Sequence, residues 1–141
     1  AEAHLRLETD RGVIRIALAR EAAPATSRAI ADLARKGFYD GLGFHRIVPD
    51  FVTQGGDPRG DGWGGPGFTM RCEASPLRYE RGAVGMALSG KDTGGSQFFI
   101  AHAAQPHLDG RYTIFGLVEE GMDVVDRLLP GDKIVKATLE K

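Results

Sequence analysis

The stretch FHRIVPDFVTQGGD, residues 44–57, sets one arginine, one glutamine and two phenylalanines close together and ends in a double glycine. Its apolar and polar residues alternate on both sides of Pro49, which predicts two short β-strands that meet at a bend. Side chains two apart share a face of a strand, so Arg46 is expected on the same face as Phe44. A cation and an amide beside aromatic rings indicate either a mixed binding site or the wall of a barrel.

Length and charge exclude several classes of protein. The chain has 141 residues, which fits one domain, residues 1–141, able to bury roughly two-thirds of its unfolded surface. The formal net charge is -1 and the pI about 6.5, so the basic excess of nucleic-acid-binding proteins is absent and no nucleic-acid partner is expected. Cys72 is the only cysteine, which excludes an intrachain disulfide and a zinc site built on several cysteines.

Hydrophobic runs are short throughout the chain. None approaches the ~20 residues that a transmembrane helix needs, and the first residues, AEAH, do not begin a basic and then apolar leader. We therefore expect a soluble protein without a membrane partner, and a monomer. Both the cytoplasm and a periplasmic or secreted location stay open.

The first part of the chain predicts a β-hairpin followed by a helix. Leu5 and Leu7 share one face of a first alternating run, and a second such run follows the turn at Gly12. A helix is predicted over 24–36, because Pro24 suits a first helical turn and Gly37 suits a left-handed C-terminal cap.

The second part predicts a mainly β fold. Strands are predicted near 82–89, 97–101, 113–118 and 134–139. A helix is predicted over 121–129, with Met122, Val125 and Leu129 on one face. Many strands with two isolated helices indicate a closed antiparallel barrel, or a sandwich, with helices over its open ends. Phe98 and Phe99 are consecutive, so one should fill the core while the other faces outward or into a groove.

Four local patterns suggest other chemistries, and each has a simpler interpretation. Residues 60–65 match GxGxxG but lack the strand and helix of a dinucleotide site. Residues 85–91, GMALSGK, resemble a phosphate-binding loop, but Asp92 replaces the hydroxyl that meets magnesium. His102 and His107, with Asp109, have no known zinc spacing. Ser96 lacks the surroundings of a nucleophile, and its hydroxyl is expected to bond to the backbone at a turn.

Three segments together resemble the signature of the cyclophilin family of peptidyl-prolyl cis–trans isomerases. They are FHRIVPDFVTQGGD, GGSQFFIAH and LDGRYTIFG. The opening hairpin, the helix after Pro24 and residues 120–126 are also similar to that family. The resemblance implies a closed eight-stranded antiparallel β-barrel capped by two α-helices, which agrees with the pattern of strands and helices.

The resemblance also implies a set of site residues. The catalytic arginine of the family corresponds to Arg46, the pocket phenylalanine to Phe51 and the glutamine to Gln54. The substrate-binding positions correspond to Val52, Gly62, Ala87, Leu88, Ser89, Gln97, Phe99, His107, Leu108 and Tyr112. The implied partners are proline-containing peptides and unfolded proteins, and no cofactor or metal is implied.

Three of these positions depart from well-known members of the family. His107 stands where a tryptophan is frequent, Tyr112 where a histidine is usual, and Leu88 where an asparagine is usual. The tryptophan contributes to cyclosporin contact in the family, so cyclosporin-type ligands are expected to bind with weakened affinity. Leu88 is expected to change substrate preference more than activity, because the family uses mainly the backbone there.

These residue types suit isomerisation of an X-Pro bond. Twisting the amide makes the proline nitrogen more basic, so a guanidinium beside it bonds more strongly in the transition state than in the ground state. Two other hypotheses stay open: a proline-peptide binding module or holdase of the same fold, and a metal-dependent enzyme using His102 and His107. Loss of activity in a chelator would identify the latter.

Overall fold

The computed structural model describes residues 4–57, 77–87, 96–105 and 113–140. Its strands within these ranges are β1 (His4–Thr9), β2 (Gly12–Leu18), β3 (Arg46–Val48), β4 (Val52–Gly55), β5 (Ala83–Met86), β6 (Phe98–Ala101), β7 (Ile114–Glu120) and β8 (Ile134–Glu140). The helices are α1 (Pro24–Arg35) and α2 (Met122–Arg127). The predicted hairpin, the bend at Pro49 and the mainly β fold are confirmed.

All eight strands form one antiparallel sheet, in the order β3-β4-β6-β5-β7-β2-β1-β8. The hairpin β1–β2 lies near one end of this order and the hairpin β3–β4 at the other. Strand β6, which is part of GGSQFFIAH, therefore lies directly beside β4, the strand that carries Gln54, and β5 lies on the other side of β6.

The prediction of a closed barrel is wrong, because the sheet curls but stays open. In the described ranges no ladder joins its end strands β3 and β8, and the only bridge between their approaches pairs Gly43 with Lys133. Residues just before β3 bond there instead: the Phe44 N–H donates to the Asp132 carbonyl at 2.8 Å, and the Ile134 N–H to the Leu42 carbonyl at 2.8 Å. Residues 42–44 therefore contact the start of β8 before β3 begins at Arg46. Strand β3 itself forms no ladder with β8, so the sheet does not close.

Helix α1 is fixed at its C-terminal end by the glycine that the sequence predicts. Gly37 has φ +77°, and its N–H donates to the Ala34 carbonyl at 3.1 Å while the Phe38 N–H donates to Leu33 at 3.0 Å. This is a Schellman motif, which satisfies carbonyls that the helix leaves free. The helix packs Ile30 and Leu33 into the main core.

Helix α2 is shorter than predicted. It ends at Arg127, and Leu128 is extended with φ -64° and ψ 141°. Leu128 is consequently buried at 2% exposure, whereas Leu129 is 56% exposed. Pro130 disfavours a helical conformation at Leu129, and the helix ends two residues before its predicted end.

The sheet carries two separate apolar clusters. The main core cluster gathers residues of the inner face with both helices, and includes Phe98, Ile100 and Val84. The second cluster consists of Val52, Tyr79, Ala83, Phe99, Ala101 and Ile114, with Phe51 and Ala87 packed against it half-buried. We call it the groove cluster. The prediction that Phe98 and Phe99 point to opposite faces is confirmed.

Candidate active site

A tight turn sets the position of Phe51 between β3 and β4. The Phe51 N–H donates to the Val48 carbonyl at 3.0 Å, and Pro49 and Asp50 occupy the two central positions. Asp50 has φ +61°, which a type II turn requires at this place and which aspartate tolerates better than most residues. The turn delivers Phe51 half-buried against the groove cluster.

Arg46, Gln54 and Gln97 form a line of polar side chains along the edge of the groove cluster. Arg46 lies directly opposite Gln54 in the β3–β4 ladder, and its Nη1 donates to Gln54 Oε1 at 3.5 Å. Gln54 Nε2 donates in turn to Gln97 Oε1 at 3.1 Å. Arg46 is exposed, so its guanidinium is accessible to a ligand while Gln54 is held from both sides.

Phe44 does not belong to this line. Its ring is fully buried in the main core, where it packs edge-to-face on Phe98 with centroids 6.4 Å apart. The strand begins only at Arg46, so the alternation that would set both residues on one face does not reach back to Phe44. The expectation that Arg46 lies beside that ring is therefore wrong.

Phe99 is the centre of the groove cluster. It is 6% exposed and stacks on the ring of Tyr79, with centroids 5.4 Å apart and planes at 21°. Gly85 lies opposite Phe99 in the β5–β6 ladder, and a Cβ there would lie 3.0 Å from Phe99 Cζ and still closer to the Tyr79 hydroxyl. Only glycine leaves room for this stack.

A hydrogen-bonded group lies behind β4, on the face away from the groove cluster. Thr53 is fully buried, and its Oγ1 is 2.5 Å from Nε2 of His102. The His102 N–H donates to the Phe51 carbonyl at 2.8 Å, and its own carbonyl accepts from Arg81 Nη1 at 3.0 Å. Arg81 is held by Asp126 of α2 at 3.2 and 2.6 Å.

Burial lowers the pKa of His102 below its usual value, and Arg81 lowers it further, while Asp126 and Asp50 act in the opposite direction. The imidazole is therefore neutral at neutral pH. Arg81 similarly lowers the pKa of the Asp126 carboxyl, chiefly by its hydrogen bond.

The predicted site residues divide into two groups. The structure brings together seven of them around the groove cluster: Arg46, Phe51, Val52, Gln54, Ala87, Gln97 and Phe99. The others lie outside the described residues: Gly62, Leu88, Ser89, His107, Leu108 and Tyr112. Sequence reasoning missed Tyr79 as a neighbour of the site, and it considered His102 only as a metal ligand and as part of GGSQFFIAH. Nothing in their local sequence indicates the stack on Phe99 or the bond to Thr53.

A scan against protein-family models matches residues 4–138 to the cyclophilin type peptidyl-prolyl cis-trans isomerase family. The chain belongs to the cyclophilin family. Its curated relatives carry the activity in their names: it is 50% identical over 133 residues to peptidyl-prolyl cis-trans isomerase B of Bacillus subtilis, covering 93% of each chain. It is 47% identical over 135 residues to the isomerase of Synechococcus elongatus, covering 94% of this chain and 93% of that one.

Solved structures agree with this assignment. A cyclophilin of Cryptosporidium parvum superposes with a TM-score of 0.93 at 29% identity, covering 100% of this chain and 99% of that one. The same protein crystallised in the presence of the dipeptide Ala-Pro gives a TM-score of 0.91 at 29% identity, covering 98% of this chain and 99% of that one. The chain described in this structure is thus a peptidyl-prolyl cis–trans isomerase of the cyclophilin family. It has the open, curled eight-stranded sheet and two helices described above.

Two properties of this cyclophilin concern metals and membranes. Among the described residues no group of three His, Cys, Asp or Glu side chains is placed to hold a metal ion. His102 instead bonds Thr53 through Nε2, and His107 and Asp109 lie outside those residues. Ser96 donates its hydroxyl to the Gly56 carbonyl at 2.7 Å, as a turn residue would.

No helix in the described ranges combines the length and apolarity needed to cross a membrane.

Proposed function

We propose that this cyclophilin accelerates X-Pro isomerisation by stabilising the twisted amide with the Arg46 guanidinium, while an apolar pocket holds the proline ring. Its substrates are proline-containing peptides and unfolded proteins, whose folding it assists. The observation that supports this most is the line Arg46–Gln54–Gln97 along the edge of the groove cluster.

The chemistry requires only that the twisted state be favoured. The trans X-Pro bond is preferred by only ~0.5–1 kcal/mol, but the barrier is ~18–20 kcal/mol because the amide loses resonance on twisting. In the twisted state the proline nitrogen gains a lone pair that accepts a hydrogen bond. A donor at that nitrogen therefore lowers the barrier without a nucleophile or a proton transfer.

Arg46 has the properties of such a donor. It is exposed at the edge of the groove cluster, and the bond to Gln54 uses one of its five N–H groups. A guanidinium carries a positive charge in proteins and presents its donors in a rigid fork. Because Gln54 is held by Gln97, the guanidinium is oriented before substrate arrives, which reduces the reorganisation that the reaction would otherwise require.

The groove cluster supplies the other half of the proposed site. Phe51, Val52 and Phe99 offer an apolar surface for the proline ring, and Leu108 is proposed to complete it. Gln54 holds the substrate carbonyl, so one side of the bond is fixed while the other rotates. Exclusion of water by these side chains strengthens the interaction of Arg46 with the nitrogen.

The remaining positions are proposed to set preference. Gly62, Ala87, Leu88, Ser89, Gln97, His107 and Tyr112 line the groove for the residues that flank proline. The solved relative crystallised with Ala-Pro supports a proline peptide as ligand. We also propose that residues 1–141 form one domain that acts as a monomer without cofactor, and that His107 weakens cyclosporin-type binding.

Exchange NMR on a peptide with one Xaa-Pro bond tests the proposal. Wild type is expected to give cis–trans exchange cross-peaks at catalytic concentration, and Arg46→Ala to lower kcat/KM by about 10²-fold or more, as for loss of one preorganised donor. Arg28→Ala removes another exposed arginine, on α1, and should leave the rate unchanged.

Three results would overturn it. Peptide binding without exchange in wild type indicates the binding module instead. Exchange that is equal in wild type and Arg46→Ala removes the role of the arginine. Loss of exchange in EDTA would indicate the metal-dependent alternative.

A further inference from the structure

The residue most closely tied to the Phe51 turn is a histidine that does not face the groove. His102 follows directly after β6, opposite Phe51. Three groups of this one residue are engaged: the N–H with the Phe51 carbonyl at 2.8 Å, the carbonyl with Arg81 at 3.0 Å, and Nε2 with Thr53 at 2.5 Å.

The sheet register explains why the side chain reaches Thr53. Thr53 pairs with Ile100, so His102 is its diagonal neighbour two residues further on and shares its face. That face is the one opposite Val52 and Phe99. The imidazole therefore supports β4 from behind, between the strand residues Val52 and Gln54 that the proposed site uses.

The Phe51 turn is also attached through Asp50. Asp50 holds a left-handed conformation, φ +61°, which is unfavourable for a residue with a side chain. Its carbonyl accepts from Gln105 Nε2 at 3.3 Å, and Gln105 in turn donates its N–H to the Tyr79 carbonyl at 2.6 Å. Residues 102–105 thus fasten the turn on one side, and His102 makes the shortest of their contacts with it.

The link continues to a helix remote from the groove. Arg81 donates to both the His102 carbonyl and the Asp126 carboxylate. Asp126 belongs to α2, which packs on β2 through Val124 and Val125 in the main core. His102 therefore links α2, through Arg81, to the turn that carries Phe51.

We propose that His102, through Thr53, is a positioning residue that holds Phe51 and the start of β4 in the geometry that isomerisation requires. It touches no substrate. Its effect rests on the proposed role of Phe51 in the proline pocket. Small displacements of positioned groups have large effects on rate, so a loosened turn should reduce turnover before it reduces stability.

Thr53→Val tests this with nearly unchanged side-chain volume. We expect kcat/KM on an Xaa-Pro peptide to fall by roughly 3- to 10-fold, with the fully folded protein present at the assay temperature. Thr53→Ser restores the hydroxyl and should recover most of the rate. Thr138→Val, on β8 far from the groove strands in sheet order, is the matched control and should leave the rate unchanged.

Hydrogen exchange gives a readout independent of turnover. The His102 amide is bonded to the Phe51 carbonyl, so its exchange should become at least about 10-fold faster in Thr53→Val, while amides of the β1–β2 hairpin stay as in wild type. His102→Leu should reproduce both changes, and the double variant with Thr53→Val should be no slower than His102→Leu alone, because both remove one contact.

The outcomes separate this inference from the proposed function. If Arg46→Ala loses the rate but Thr53→Val and Thr53→Ser both match wild type, the positioning role is wrong and the isomerase mechanism stands. If the rate falls only in proportion to the unfolded fraction, the contact is structural and the proposal fails. If Arg46→Ala retains the rate, the mechanism itself fails, while faster His102 exchange would still report the contact.

Discussion

The two faces of the sheet formed by β4, β6 and β5 carry apolar clusters with different surroundings. On the inner face, Phe98 and its neighbours are covered by helices and by the curled sheet. On the other face, Phe99 lies in a smaller cluster that ends in the half-buried Phe51 and in the polar line from Arg46 to Gln97. The first cluster accounts for the fold, and the second is the one that we propose binds substrate.

The difference teaches that stability and activity can be separated between adjacent residues of one strand. Substitutions on the inner face should unfold the protein without changing the chemistry of the molecules that stay folded. Substitutions on the groove face should reduce kcat/KM while the protein stays folded. The predictions below, from the largest free-energy change to the smallest, test that separation.

Phe98→Ala should have the largest effect on stability. Its ring is 2% exposed and packs edge-to-face on both Tyr39, at 5.8 Å, and Phe44, at 6.4 Å. Deleting it leaves a cavity that closed packing cannot fill, so the free energy of unfolding should fall by about 3–5 kcal/mol. Urea unfolding measures this. If the molecules of Phe98→Ala that stay folded also lost kcat/KM relative to wild type, the separation of the two clusters would be contradicted.

Phe99→Ala should lower the free energy of unfolding by less, about 2 kcal/mol, because Phe99 lies in the smaller of the two clusters. Its kcat/KM should nevertheless fall by about 10-fold or more, since the proline surface is lost. Measurement of both quantities beside Phe98→Ala gives a direct contrast. A variant that is active but as unstable as Phe98→Ala would show that the groove cluster serves the fold instead.

Gly85→Ala should disturb the groove cluster by overpacking. The added methyl would collide with the Tyr79 hydroxyl and press on Phe99, at a cost of about 1–3 kcal/mol, and should reduce kcat/KM by shifting the Phe99 ring. Gly43→Ala is the control, because its nearest neighbour, the Asp132 carbonyl, lies at an ordinary 3.6 Å. Equal activities of the two variants would show that the stack on Phe99 is not needed.

The pH dependence of stability should show the smallest change. The folded-state pKa of His102 is lowered by burial, so the unfolded chain binds more protons as pH falls. The free energy of unfolding should therefore decrease as pH falls through the usual histidine value of about 6.5 towards the folded-state pKa. His102→Gln should lack this contribution, as urea unfolding between about pH 8 and pH 5 would reveal. If the free energy of unfolding of His102→Gln depended more steeply on pH than that of wild type, the predicted contribution of His102 would be contradicted.

Much of the fold follows from local sequence. The hairpin β1–β2, the glycine cap after α1 and the opposite faces of Phe98 and Phe99 depend on residues close in the chain. The open end of the sheet does not, because it depends on how far eight strands curl and on backbone bonds between residues 41–44 and 131–134. The early end of α2 similarly depends on burying Leu128 instead of Leu129.

The site was predictable to a different degree. Arg46 and Gln54 lie eight residues apart in a hairpin whose pairing the pattern around Pro49 indicates, and the structure places them opposite each other. Tyr79 and His102 contact Phe99 and Thr53 across long separations in the sequence, which local patterns do not indicate. Only the structure shows that Tyr79 stacks on Phe99 and that His102 bonds to Thr53.

The central claim is that Arg46 acts on the transition state and contributes little to binding. The most direct measurement is the pair of constants, kcat and peptide Kd, for Arg46→Lys, with Arg28→Lys on α1 as control. Lysine keeps the charge but loses the rigid fork, so kcat should fall by at least about 10-fold while Kd changes by less than about 3-fold. An unchanged kcat, or a loss found entirely in Kd, would contradict the account.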